Sequence, residues 1–166
     1  MGQKIWNVLV LCTGNSARSI MGEALINVLG QGRFKAYSAG SQPMGRVNPF
    51  AVEQAQTIGY DTSTVRSKSW DEFSQPDATP MDIVITVCDS AAGESCPLWR
   101  GSPIKVHWGF ADPSHVNGND DDKRTAFTKT FAQIRKKVEA LMQLPIDQLT
   151  TGQLTTELQA IGDTEV

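Results

Sequence analysis

Residues 12–19 read Cys-Thr-Gly-Asn-Ser-Ala-Arg-Ser and directly follow the apolar run Val8-Leu9-Val10-Leu11. Such a run reads as a buried strand, so the chain has to turn at Cys12 and enter a helix near Arg18. Successive backbone N–H groups in a turn of this kind converge on one hollow. The first turn of the helix adds its own unpaired donors and the positive end of its dipole. Gly14 permits a positive φ and Asn15 tolerates one. Ser16 and Ser19 can donate hydroxyl hydrogen bonds inward, and Arg18 offers a planar fork that matches two oxygens of a tetrahedral oxyanion. Thr13, Gly14, Asn15, Ser16, Ala17, Arg18 and Ser19 are therefore the candidate substrate-binding residues. Cys12 lies in their positive field, which is expected to lower its pKa and make it a thiolate nucleophile aimed at phosphorus or arsenic. A buried structural cysteine ahead of a helix cap would account for Cys12. It would not account for Gly, Asn, Ser, Arg and Ser in that order behind it. A Walker nucleotide loop is excluded, because no Gly-Lys-Ser/Thr is present.

The chain has 166 residues, enough for one domain with a full core. A formal net charge of −3 argues against nucleic acid or an anionic membrane as a partner. It does not exclude a small anion held in a local cradle. No apolar run approaches the length of a membrane span, and the short N-terminal strand lacks the form of a signal peptide. A cytoplasmic location is expected, where the three cysteines serve better as reactive thiols than as structural bridges.

Strands are expected at 4–11, 34–38, 82–88 and 104–107. Helices are expected at 18–30, from Pro49 behind the cap Asn48 to a stop at Gly59, and from Asp120 to Leu144. The last of these carries Phe127, Phe131, Ile134, Val138 and Leu141 at helical spacing, with Arg135-Lys136-Lys137 read as a solvated face. A helical turn is expected near Trp70–Phe73, and one more helix around Leu154–Ile161. Alternating strands and helices give an α/β fold: a single three-layer domain with a central four-stranded parallel sheet flanked by helices. Residues 1–144 form that domain and 145–166 a C-terminal extension. Ligands bind beyond the C-terminal ends of such strands, where Cys12 and Cys88 both fall.

Two further groups of residues carry chemistry. Cys88 and Cys96 flank a stretch of small and polar residues that reads as a mobile loop. Their spacing is wrong for a redox Cys-x-x-Cys and too sparse for zinc, so no metal is expected. It suits a relay in which Cys88 attacks a bond at Cys12 and Cys96 then attacks Cys88. A strand-terminal core cysteine beside an unrelated loop cysteine is the plainer alternative. Asp112 precedes Pro113, which restricts it to extended backbone and can aim its carboxylate inward as a general acid; Asp-Pro is also a common turn initiator.

Taken together, the Cys12–Ser19 loop, Tyr37-Ser38-Ala39-Gly40, Cys88 and His107-Trp108-Gly109-Phe110-Ala111-Asp112-Pro113 resemble arsenate reductases of the low-molecular-weight tyrosine phosphatase fold. The resemblance implies the following course. Cys12 attacks arsenate held by Arg18 and the loop amides, with phosphate or sulfate as mimics, and Asp112 protonates the departing oxygen. Cys88 then attacks the sulfur of the adduct and releases arsenite, and Cys96 carries the oxidation outward as a Cys88–Cys96 disulfide. No bound cofactor is implied; thioredoxin, or glutathione with glutaredoxin, would restore the thiols. Some relatives hold potassium through equivalents of Asn15, Glu23, Ser38 and a downstream acid. Here Arg66-Ser67-Lys68 occupies that downstream stretch, and the Lys68 ammonium is expected to replace the cation. The alternative is a low-molecular-weight phosphatase using Cys12, Arg18 and Asp112 with water as second nucleophile; an oxyanion sensor without turnover is the non-enzymatic one.

Overall fold

The computed structural model describes residues 4–88 and 97–165. Strand β1 (Trp6–Leu11) leads through the Cys12 loop into α1 (Arg18–Leu29), β2 (Phe34–Ala39) and α2 (Pro49–Thr57). A 3-10 turn at Trp70–Phe73 precedes β3 (Ile83–Thr86) and β4 (Ile104–His107). The chain ends in α3 (Asp120–Gln143) and α4 (Thr151–Asp163). The sheet is parallel throughout, in the order β2-β1-β3-β4. No helix among the described residues is long and apolar enough to cross a membrane.

The helix starts follow local chemistry. Asn48 accepts from the Phe50 amide with Pro49 at the first helical position. Asn119 and Asp122 form a reciprocal capping box at α3, as Thr150 and Gln153 do at α4. β3 is shorter than its β-branched run predicts. The backbone of Val87 still bonds to Leu11, but β4 pairs no further than Thr86–His107, which leaves Cys88 beyond the ladder.

The two faces of the sheet are covered unequally. Val8, Val10, Ile83, Ile85 and Val106 meet residues of all four helices, including the α3 seam of Phe127, Phe131, Ile134, Val138 and Leu141. Leu9, Leu11 and Val84 meet Ala39, Met81 and Trp99, with Tyr37, Trp70 and Phe73 packed outside them. The C-terminal extension belongs to the same core, which takes in Ile146, Leu154, Leu158 and Ile161. One consequence contradicts the expected solvated face of α3: Lys137 is buried, at 4% exposure, because α4 lies over it.

Gly40, at the end of β2, sets the distance between the sheet and the Cys12 loop. A Cβ there would stand 2.4 Å from the Thr13 carbonyl oxygen and 2.6 Å from that of Cys12. Both are backbone atoms, so relief requires moving the loop or the strand. Gly40→Ala is expected to lower stability by about 1–3 kcal/mol, the usual scale of overpacking, in urea unfolding followed by circular dichroism.

Candidate active site

The hollow beyond β1 is shaped by where its carbonyls point. The oxygens of Thr13, Gly14 and Ser16 accept hydrogen bonds from the backbone amides of Gln42, Met44 and Asn48, at 3.0, 3.0 and 2.9 Å. Ser67 Oγ adds a second bond to the Gly14 oxygen at 3.1 Å. With its carbonyls tied to the 42–48 segment on the outside, the loop turns its N–H groups inward. Helix α1 opens at Ala17 with no side-chain cap, so its first amides also face the hollow. The positive φ falls on Asn15 (45°), not on Gly14. Gly14 serves space instead: a Cβ would lie 3.2 Å from Met44 Cγ. The resulting cavity, of about 540 Å³, is lined by Cys12 and residues 13–18, with Cys88 and Asp112 on its walls. Ser19 is fully buried behind it, accepting from Asn15 Nδ2 at 2.8 Å.

Cys12 and Cys88 are both buried thiols and hydrogen-bond to each other. The Thr13 amide donates to Cys88 Sγ at 3.4 Å, and the Thr13 hydroxyl lies 3.6 Å from the same sulfur. The bond to Cys88 pushes the Cys12 pKa up and burial adds to it; Arg18 and the Thr13 amide pull the other way but do not prevail. This overturns the expected low pKa. A positive cradle favours a thiolate, yet a second sulfur against the first holds its proton in place. Cys96 lies outside the described residues.

Arg18 is held at the cavity wall. Its Nη1 donates to the Phe110 carbonyl at 2.9 Å and its Nη2 lies 3.3 Å from Asp112 Oδ2. Its Nε is buried without a hydrogen-bond partner among the described residues, a donor that an oxyanion would satisfy. Asp112 has the extended backbone that Pro113 requires (φ −79°, ψ 109°). Its Oδ1 accepts from the Ser114 amide at 2.9 Å and the Ser114 hydroxyl at 2.6 Å, and His115 Nε2 lies 3.4 Å from Oδ2. Burial raises the Asp112 pKa, but the two Ser114 bonds, then Arg18 and His115, outweigh it and hold the carboxyl below its ordinary range. Ser114 was missed in the sequence, although Asp-Pro-Ser is the pattern of an Asx turn. So was the 42–48 segment, whose backbone contribution leaves no mark on residue type.

Behind the cradle, both Glu23 oxygens are engaged, by Ser38 Oγ and by Tyr60 Oη, each at 2.7 Å. Asn15 Oδ1 accepts from the Lys68 amide at 2.9 Å, and Lys68 Nζ donates to the Arg66 carbonyl at 3.0 Å. Burial lowers the Lys68 pKa while the charge of Glu23 raises it, which places the ammonium in the carboxylate's field. Each of these oxygens accepts a hydrogen bond from a protein donor.

The low molecular weight phosphotyrosine protein phosphatase family model matches residues 7–155, and the chain belongs to that family. An arsenate reductase of Halalkalibacterium halodurans is 35% identical over 143 residues, 86% of this chain and 98% of the relative. The solved structure of an arsenate reductase in its phosphate-binding state superposes with a TM-score of 0.62 at 26% identity, covering 82% of this chain and 96% of that one. A low molecular weight phosphotyrosine phosphatase of Vibrio cholerae also reaches 0.62, at 21% identity over 82% of this chain and 94% of its own. Equal superposition on both means that the backbone does not separate the two activities, and side chains must.

Removing the Cys88 sulfur removes the largest influence that raises the Cys12 pKa. Cys88→Ala is expected to speed iodoacetamide alkylation of Cys12 at neutral pH by about tenfold or more, a shift of at least one pKa unit. Peptide mass spectrometry across a pH series reads it; an unchanged profile would mean that the two sulfurs do not share a proton.

Proposed function

We propose that this protein reduces arsenate to arsenite, and that Cys12, Arg18, Asp112 and Cys88 carry the reaction. The observation that supports this best is the Cys88 thiol hydrogen-bonded to Cys12 within an oxyanion cradle. A hydrolase needs water to attack the phosphorus of its covalent adduct; a thiol against the Cys12 sulfur can attack that sulfur instead. Arsenic(V) can be reduced through a sulfur bond, whereas phosphorus(V) cannot.

The arsenate dianion enters the cradle, takes hydrogen bonds from the loop amides and Arg18, and accepts the Cys12 proton on one of its oxygens. Cys12 Sγ attacks arsenic, an arsenic–oxygen bond breaks, and the oxygen leaves as water with a proton from Asp112. Asp112 is ionised in the substrate-free state, so its proton comes with substrate. A dianion that shares the Arg18 charge and places negative charge beside Asp112 raises the carboxyl pKa. Cys88 then passes its proton to an oxygen of the adduct and, as thiolate, attacks Cys12 Sγ. The sulfur–sulfur bond forms, and the electron pair of the sulfur–arsenic bond goes to arsenic, which leaves as arsenite. Two thiols have lost two electrons in total, and an external thiol reductant must return them. Cys96 is the thiol proposed to pass the disulfide outward to thioredoxin or to glutathione with glutaredoxin.

Phosphotyrosine hydrolysis would use the same Cys12, Arg18 and Asp112. The described cavity wall, however, has no Phe, Tyr or Trp to grip a phenyl ring. Only slow turnover of phosphate esters is expected.

Cys12→Ser is expected to abolish arsenate-dependent NADPH oxidation, run in parallel with thioredoxin and with glutaredoxin plus glutathione. Cys88→Ser should retain the arsenic adduct on Cys12, seen by intact-protein mass spectrometry, without releasing arsenite. Multiple turnovers by that variant would sink the relay. Lys68 is proposed to supply the positive charge that potassium supplies in some relatives. The melting temperature of the wild type is accordingly expected to stay flat in a potassium titration, and that of Lys68→Ala to rise with potassium. A steep rise in the wild type would contradict this role.

A further inference from the structure

Lys137 is a buried ammonium that the proposed reaction does not use. It sits on α3 at 4% exposure, where a hydrophobic side chain would be cheaper to bury. Its Nζ donates to the Gly162 carbonyl at 2.7 Å, at the last turn of α4. Carbonyls there are left unpaired by the helix and carry the negative end of its dipole. The same Nζ lies 5.0 Å from the centroid of the Phe110 ring, within cation–π range. The carbonyl of Phe110 in turn accepts from Arg18 Nη1 at 2.9 Å. Two further contacts clamp the same segment. Trp108 Nε1 donates to the Leu158 carbonyl at 2.9 Å, and Gly162 packs so closely that a Cβ there would stand 2.5 Å from the His107 oxygen and 2.7 Å from Trp108 Cδ1.

We infer that Lys137 and the C-terminal helix form a brace that positions the 107–112 segment, and through the Phe110 carbonyl and Asp112 fixes the Arg18 guanidinium over the cradle. Leu158 and Gly162 lie past the end of the family match at residue 155, so the brace draws on the extension. Lys137 touches no substrate; it is a positioning residue. The inference rests on the reading that Arg18 holds the oxyanion.

Full-length wild type, Lys137→Met, Lys137→Arg and Gly162→Ala are compared by calorimetric phosphate binding, by arsenate kcat and KM, and by thermal melting. Lys137→Met keeps the length of the side chain and loses the charge. It is expected to weaken phosphate binding and raise the arsenate KM by about tenfold, the scale of one misaligned charge-assisted bond. Lys137→Arg, which can still donate to Gly162 and stack on Phe110, should return to within about threefold of wild type. In an Arg18→Lys background the Lys137→Met effect on phosphate binding should largely vanish, as expected for groups acting in series. A merely structural lysine would lower the melting temperature, leave phosphate affinity per folded molecule within about twofold, and add to Arg18→Lys without coupling; that result overturns the brace. If Lys137→Met does not fold, Gly162→Ala carries the test by displacing the segment from the other side, and unchanged phosphate affinity in it would overturn the brace equally. A wild type that neither binds phosphate nor turns over arsenate would instead refute the functional reading.

Discussion

A peptide chain carries as many carbonyls as amides, so a loop can present a surface of N–H groups only if something else takes the oxygens. In this fold the 42–48 segment does that, donating to the carbonyls of Thr13, Gly14 and Ser16. Ser67 and the Lys68 amide complete the outer layer through the Gly14 carbonyl and Asn15 Oδ1. The position of Cys12, the inward amides and the direction of α1 all follow from that segregation. Gly40 makes it geometrically affordable, because only a residue without a Cβ lets β2 end against the Cys12 and Thr13 carbonyls.

The same surroundings keep the site quiet before substrate arrives. Cys12 retains its proton against Cys88, and Arg18 is occupied by Phe110 and Asp112. In the proposed reaction a bound dianion changes both titrating groups, accepting the thiol proton and raising the carboxyl pKa of Asp112, while Arg18 stays anchored on the Phe110 carbonyl. A thiol that would be open to oxidation as an exposed thiolate is instead buried and protonated until the proposed substrate is present.

Much of this was legible from residue order. Strand β1, the loop and helix α1 follow from an apolar run meeting Gly, Asn and Ser, and Asn48-Pro49 marks α2 as a capped helix. Other points were not. The positive φ was assignable to either Gly14 or Asn15, since both residue types tolerate it, and only the tie from Lys68 to Asn15 selects Asn15. Lys137 read as solvated because its neighbours Arg135 and Lys136 are charged. Whether a helix face is wet depends on what packs over it, and α4 comes from a segment with no periodicity signal that points to α3.

The sequence by itself determined the chemical inventory: a thiol, an arginine fork, a carboxylate before proline, and a second cysteine at the end of a neighbouring strand. Those are properties of residue type and of position relative to local elements, which short-range physics sets. The tertiary structure decided the state of that inventory. It brought Cys88 close enough to hold the Cys12 proton, paired Arg18 with Asp112, and laid the C-terminal helix against the segment that carries Phe110. Proton affinities and side-chain directions depend on groups distant in the chain, and no local pattern encodes the distance between them.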